Sequence, residues 1–188
     1  MRLVIISRPI ELIPSNIDEK FFVAIKKIFK IKFKTKCKSF GNTVIENINS
    51  LPSDIQARIR EEKEKFYLVK LLYPLVFKRY KSLKLTNRLK KWIVEMNIGT
   101  KKLSAILILH DDYPFSAPWK LTSDIYIHGK KFEMGWRDLD PDKCLGRVPK
   151  MFGLSSDSWN YRWGIIHFLA LAEVMIRTRW ETKEHVII

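Results

Sequence analysis

The chain has 188 residues and 46% hydrophobic content, which suits one well-cored domain and excludes a wholly disordered polymer. Its formal net charge of +15 favours acidic partners, such as nucleic acid, an anionic membrane face or an acidic protein surface, although lysine-rich solvated faces give the same balance. Its two cysteines exclude a disulfide framework and match no zinc-ligand spacing, so we expect a reducing, cytoplasmic compartment.

The N-terminal segment is basic and amphipathic. The apolar run Leu3–Ile6 is too short for a secretory signal, and no later run approaches the roughly 20 apolar residues that cross a bilayer. Ser15 or Asn16 is placed to cap a helix whose apolar residues recur at helical spacing. Residues 20–38 contain eight lysines and no acid, which predicts either a binding surface or a helix packed on the domain with its lysines in water. The lysines of the predicted binding surface, for nucleic acid or another acidic partner, are Lys26, Lys27, Lys30, Lys32 and Lys34.

A linker is predicted at residues 39–52, where glycine, asparagine and proline accumulate. The chain then divides into a basic N-terminal extension (1–52), a domain (53–180) and a C-terminal tail (181–188).

One helix followed by an antiparallel meander is predicted for the first half of the domain. Ser53 and Gln56 form an S-x-x-Q capping box that opens a helix to about Lys65. Three apolar or alternating runs follow at residues 66–76, 92–98 and 103–109, and we interpret them as strands. The first run, 66–76, is short enough to be helical instead.

The second half of the domain has fewer regular patterns. A short strand is predicted around Trp119–Leu121. Residues 122–158 are rich in glycine and proline and predict an irregular segment, and long segments of this kind tend to carry function. A final helix is predicted from Trp159 to about Arg179. This order of elements predicts an α+β domain.

The segment Ile106–Pro118, with the sequence ILILHDDYPFSAP, resembles ubiquitin-conjugating enzymes, in which a strand runs into a Y-P-F-x-x-P turn. Asp124–His128 stands where that family has I-Y-H-P-N. Cys144–Leu145 and Trp159 stand where it has its catalytic C-L pair and the tryptophan before the next helix. The likeness covers about residues 54–180, and the turn is its closest match. The resemblance implies a ubiquitin-conjugating-enzyme-like core with an N-terminal helix, a meander sheet, an active-site loop and a C-terminal helix.

Two departures from the family pattern concern the region before the cysteine. Tyr126 is followed by Ile127, His128 and Gly129, so the asparagine of H-P-N is missing, and the stretch from Tyr126 to Cys144 is longer than usual. Both features are similar to divergent members, such as those of bacterial antiviral conjugation systems.

The chemistry that the resemblance implies is acyl transfer through Cys144. An activating enzyme would pass the C-terminal glycine of a ubiquitin-like modifier to this thiol, and an amine of a target protein would then take it, without a metal or cofactor. His128 and Asn160 are candidate donors to the oxyanion, and Asp140 or Asp142 is a candidate for orienting the amine. Each of these four residues is equally well explained as an ordinary surface or loop residue.

Two other functions remain open. The missing asparagine favours a catalytically inactive scaffold or adaptor of the same fold, and the charge favours a nucleic-acid-binding or ribonucleoprotein subunit. Cys37, set among lysines without a base or motif, is interpreted as a bystander.

Overall fold

The computed structural model describes residues 18–141, 143–154 and 159–181, and it is an α+β structure with one five-stranded antiparallel sheet. The helices are Glu19–Lys30 (α1), Ser53–Leu72 (α2), Pro74–Phe77 (α3), Val148–Met151 (α4) and Ile165–Met175 (α5), with 3-10 turns at Ile48–Ser50 and Leu145–Arg147 and a π-helical turn at Ile176–Trp180. The strands are Tyr80–Leu85 (β1), Lys91–Ile98 (β2), Lys101–Ile108 (β3), Lys120–Ile127 (β4) and Lys130–Gly135 (β5). In the part of the chain covered by these ranges, no helix combines the length and apolarity needed to cross a membrane.

The sheet is a meander in which each strand pairs with the next along the chain. β2 and β3 pair over their whole length, and alternate residues of β2 point into the core, which confirms the strand predicted at 92–98. The inward residues of β2 are Trp92, Val94, Met96 and Ile98.

Helix α1 packs its apolar face into the main core. Asp18 caps it by accepting a hydrogen bond from the Phe21 amide at 2.8 Å. The predicted cap, Ser15 or Asn16, was therefore wrong. Both of these residues lie outside the described residues. The lysines of α1 stay in solvent, which confirms the interpretation of a packed helix. The side chains of α1 that enter the core are Phe21, Ala24, Ile25, Ile28 and Phe29.

The segment after α1 also belongs to this core. The Phe33 amide donates to the Arg162 carbonyl at 2.8 Å, and the Phe40 amide donates to the Tyr113 carbonyl at 2.8 Å. Side chains on both sides of the predicted boundary at residue 52 therefore share one hydrophobic cluster.

Helix α2 is longer than predicted and contains most of the run 66–76, which we had interpreted as the first strand. Phe66 and Val69 are buried three residues apart on one helical face, so the helical period continues through the apolar run. The predicted capping box does not form, because Ser53 is already helical. Gln56 instead donates to the carbonyl of Leu51 at 2.7 Å. The first strand is β1, which the sequence analysis missed.

The segment 122–158, predicted to be irregular, contains most of β4 and all of β5. His128 and Gly129 both adopt positive φ (51° and 73°) and form the turn of this hairpin. The final helix begins at Ile165 and not at Trp159, because residues 159–164 form a loop before α5.

Candidate functional site

Cys144 lies where the chain returns to the end of the sheet. It forms a parallel bridge with Gly135, the last residue of β5, whose amide donates to the Lys143 carbonyl at 2.9 Å. The Gly146 amide donates to the Trp136 carbonyl at 2.9 Å, and the Cys144 Sγ donates to the same carbonyl at 3.6 Å. These contacts hold the cysteine against the end of β5.

Two glycines make this close approach feasible. A Cβ atom on Gly146 would stand 2.5 Å from the Trp136 carbonyl oxygen, and one on Gly135 would stand 2.8 Å from the Trp119 carbonyl oxygen. Both distances are too short for any other residue type without movement of the backbone. The local sequences Met134-Gly135-Trp136 and Leu145-Gly146 therefore allow the loop to lie directly on the sheet edge.

The Cys144 thiol lines a cavity of about 340 Å³ between its own loop and the end of α5. We call this the cysteine cavity. Cys144 is 7% exposed, and the hydrogen bond of its thiol to the Trp136 carbonyl is buried. The apolar walls are Pro141, Val148, Met151, Val174 and Met175.

The polar lining of the cysteine cavity is cationic. Arg147, Lys150 and Arg179 border it together with Thr178, and no carboxylate is among the described residues of its lining.

His128 lies outside the cysteine cavity. Its Nε2 is 3.1 Å from the Trp180 carbonyl oxygen, and it lines a second, smaller pocket of about 30 Å³ with Asp140 and Lys143. Arg179 borders both pockets, so the two are neighbours across one side chain. The role predicted for His128 stays a prediction.

Asn160 shapes the loop before α5. Its Oδ1 accepts from the Arg162 amide at 2.9 Å, and its carbonyl accepts from the Trp163 amide at 2.8 Å. This is a turn-stabilising arrangement, and Asn160 does not line the cysteine cavity. The fourth predicted site residue, Asp142, lies outside the described residues.

Two cationic residues of the cavity, Lys150 and Arg179, were missed by the sequence analysis. Lys150 lies three residues after Arg147 in a short helical segment, and this spacing was a usable signal. Arg179 had no such signal, because it comes from the distant end of the final helix.

Tryptophan side chains connect the Y-P-F turn to the cysteine loop. The Trp159 Nε1 donates to the Pro114 carbonyl at 2.9 Å, and the Tyr113–Pro114 peptide bond is cis. The Trp159 ring packs edge-on against Trp136 at 5.3 Å and against Trp163 at 5.6 Å between ring centroids. Since the Trp136 carbonyl holds Cys144, the turn and the cysteine are joined through two packed indoles.

Behind the turn lies a buried polar network of Arg58, Glu62 and Tyr113. The Glu62 carboxylate accepts from the Arg58 Nε at 2.9 Å, from the Ile165 amide at 2.9 Å and from the Tyr113 hydroxyl. Arg58 also donates to the Trp163 carbonyl at 2.8 Å. Burial raises the pKa of Glu62, and the Arg58 charge together with these donors opposes that rise. The network joins α2, the turn and the start of α5.

Cys37 has the features of a structural thiol. It is buried in the main core, and burial raises its pKa to about 11.

The five lysines predicted as a binding surface are exposed. Two of them approach aromatic rings: Lys26 Nζ lies 4.7 Å from the Phe22 ring centroid and Lys32 Nζ lies 5.6 Å from that of Trp163.

Among residues 18–141, 143–154 and 159–181, no three His, Cys, Asp or Glu side chains cluster in a way that would hold a metal ion.

No protein-family model, no curated protein and no solved structure matches the chain.

Proposed function

We propose that this chain is a divergent ubiquitin-conjugating-type enzyme that carries a ubiquitin-like modifier as a thioester on Cys144. The observation that carries the proposal is the position of this thiol, fixed at the end of a meander sheet and lining a cavity bordered by three cations. Further support comes from the order of elements along the chain, which agrees with the order that the sequence resemblance implies. This order is a helix, a meander, the Y-P-F turn, the cysteine loop and a final helix.

The proposed reaction has two transfers. The Cys144 thiolate attacks the C-terminal thioester carbonyl of the modifier, a new C–S bond forms, and the thiolate of the activating enzyme leaves. An amine of the target then attacks the same carbonyl, a C–N bond forms, the Cys144 thiolate is released and the amine proton passes to solvent or to a base. In this proposal His128 and Asn160 are the candidate donors to the oxyanion.

The first transfer can be tested without a cognate activating enzyme. A short peptide with a C-terminal glycine thioester is incubated with the protein, and the adduct is identified by intact mass and peptide mapping. We expect an adduct on Cys144 that excess thiol cleaves by exchange and that forms faster than the adduct of glutathione at the same pH. The adduct should persist in Cys37→Ala and disappear in Cys144→Ala. An adduct confined to Cys37, or a rate no higher than that of glutathione, would contradict the proposal.

A non-catalytic adaptor of the same fold is the second candidate. It is favoured by the 7% exposure of Cys144 and by a cavity lining in which the described residues include neither a histidine nor a carboxylate to act as a base. This candidate predicts no adduct above the glutathione rate, and it predicts that Cys144→Ser leaves partner binding unchanged.

A further inference from the structure

A groove of about 430 Å³ lies between α1 and the end of α2, and we call it the α1–α2 groove. Its apolar lining consists of Val23 and Ala24 from α1, together with Leu72 and Tyr73 from the end of α2. Val23 and Leu72 are exposed, so two large apolar side chains of the lining face solvent. The residues proposed to act in the reaction at Cys144 do not line this groove.

The apolar surface of the groove continues along α2 as a row of exposed side chains. Leu68 and Leu72 lie four residues apart on one helical face, and Leu71, which is 77% exposed, lies beside them. The other face of α2 already packs Phe66 and Val69 into the core, so these leucines add nothing to it. Scattered exposed leucines are ordinary, whereas a contiguous row marks an interaction surface. The members of this row, which we call the apolar stripe, are Tyr67, Leu68, Leu71, Leu72 and Leu75.

The charged lining of the groove is mainly basic. Lys20 and Lys27 border it together with Glu19, and within the described part of the chain neither lysine has an ion-pair partner. Because an α-helix rises 1.5 Å per residue, these two lysines stand about 10.5 Å apart along the axis of α1, on the same face as Val23 and Ala24. Two copies of the chain packed groove to groove would bring four such lysines together, so charge disfavours a second copy as the occupant.

We propose that the α1–α2 groove and the apolar stripe bind an acidic amphipathic helix of a partner protein. The apolar residues of such a helix, three and four apart, would pack on the stripe and on Val23. Two of its carboxylates seven residues apart would stand about 10.5 Å from each other and would match the spacing of Lys20 and Lys27. A nucleic acid could use the lysines but would gain little from the exposed leucines, so the apolar stripe favours a protein. This inference goes beyond the proposed reaction at Cys144 and does not rest on it.

The test begins with a selection of helical peptides on the full chain. A phage-displayed library of random peptides of about 16 residues is selected on the protein. We expect the enriched peptides to share apolar residues at helical spacing, with aspartate and glutamate between them. Fluorescence anisotropy then gives the Kd of one enriched peptide and of its derivative in which every acidic residue is replaced by glutamine. We expect the acidic form to bind about fivefold more tightly at low salt, and the difference to vanish near 1 M salt, where screening acts within about 3 Å.

A first pair of variants tests the apolar stripe. Leu71→Gln/Leu72→Gln replaces two exposed side chains, so the fold should persist, and the Kd of the enriched peptide should rise at least tenfold. Leu139→Gln is the matched control, since this leucine is almost fully exposed and does not line the groove, and it should leave the Kd unchanged.

A second pair of variants tests the charge. Lys20→Gln/Lys27→Gln should lose most of the preference for the acidic peptide, while the glutamine derivative binds as before. Lys26→Gln/Lys30→Gln removes the same charge from exposed positions of the same helix outside the groove lining, and it should keep the preference.

Several results would overturn the proposal. One is a selection in which no peptide family is enriched on the wild type over Leu71→Gln/Leu72→Gln, and another is enrichment of basic or uncharged peptides. A dimer in sedimentation velocity that the leucine variant abolishes would assign the surface to a second copy. Enrichment of a fixed library member with the sequence of residues 1–17 would assign it to that segment of the same chain. An RNA oligonucleotide whose binding needs Lys20 and Lys27 but not the two leucines would assign the groove to nucleic acid.

Discussion

Two polar regions adjoin the last helix, and they differ in how their groups are satisfied. In the network behind the Y-P-F turn, the Glu62 carboxylate accepts three hydrogen bonds and Arg58 bonds both Glu62 and a backbone carbonyl, all away from solvent. At the cysteine cavity, the Cys144 thiol donates at 3.6 Å to the Trp136 carbonyl and borders about 340 Å³ of space.

In our proposal this difference separates a structural role from a chemical one. The buried network joins α2, the turn and the start of α5 through its hydrogen bonds and so fixes their relative positions. Cys144 instead lines an open cavity, which a small reagent can enter. The first region should therefore respond to mutation through stability and the second through reactivity.

The largest expected effect comes from breaking the closed network with Glu62→Ala. Arg58 would keep its charge in the interior without its carboxylate, and we expect the free energy of unfolding to fall by about 3–5 kcal/mol. Denaturant titration followed by tryptophan fluorescence measures this change. The matched control is Glu64→Gln, an exposed residue of the same helix, which should change the free energy of unfolding by less than about 0.5 kcal/mol. A small effect of Glu62→Ala would mean that the network does not hold the turn and the helices together.

A second expected effect concerns pH and His167, which lies on α5 next to this network. Its Nδ1 accepts from the Gly164 amide at 2.9 Å, and its Nε2 donates to the Ile31 carbonyl at 2.8 Å, so the buried ring is neutral. The pKa of His167 is lowered from 6.5 to about 3, chiefly by burial; the charges of Lys32 and Arg58 act in the same direction, and the hydrogen bonds to the Ile31 and Ile28 backbone oppose them. Below pH 6.5 the unfolded chain binds a proton that the folded chain does not, so stability present above pH 6.5 is lost as the pH falls toward 3.

The measurement is the difference in unfolding free energy between pH 7 and pH 5. The His167 contribution should amount to about 2 kcal/mol, or about 1.4 kcal/mol per pH unit inside the window. The variant His167→Gln, which does not titrate, should lose this share of the pH dependence, whereas His110→Gln, at an exposed site, should retain it. Equal pH profiles for the wild type and His167→Gln would show that the ring is not held neutral.

The fold was predictable where one local pattern decided the structure. The alternation in β2 identified its strand and its inward face, and the apolar face of α1 identified a packed helix. The run after Lys65 was misassigned because Phe66 and Val69 fit a helix, while the aromatic and branched residues around them also fit a strand. Tertiary packing decided between the two.

The site was predictable only in its cysteine. The sequence pointed to Cys144 through its neighbours Leu145 and Trp159, but the cavity depends on Arg179 and on residues of α5 that are remote along the chain. His128 was chosen for its closeness to a missing motif, yet the backbone there needs two positive-φ residues for a hairpin turn, and His128 supplies one of them. Such a requirement becomes visible only when β4 and β5 are paired.

The smallest expected effect on stability belongs to Cys144→Ser. The serine hydroxyl keeps a donor for the Trp136 carbonyl and faces the same cavity, so we expect the free energy of unfolding to change by less than about 1 kcal/mol. Cys37→Ser is the matched comparison, and it should cost about 1–3 kcal/mol because it places a hydroxyl in the apolar core.

Alkylation of the wild type then separates the two thiols. With a pKa of about 11, Cys37 is ionised to about one part in a thousand at pH 8, so its alkylation should be slow and should rise about tenfold per pH unit, while Cys144 reacts first. If mass mapping found Cys37 modified first, or Cys144→Ser unfolded the protein, the distinction between a closed structural region and an open reactive one would not hold.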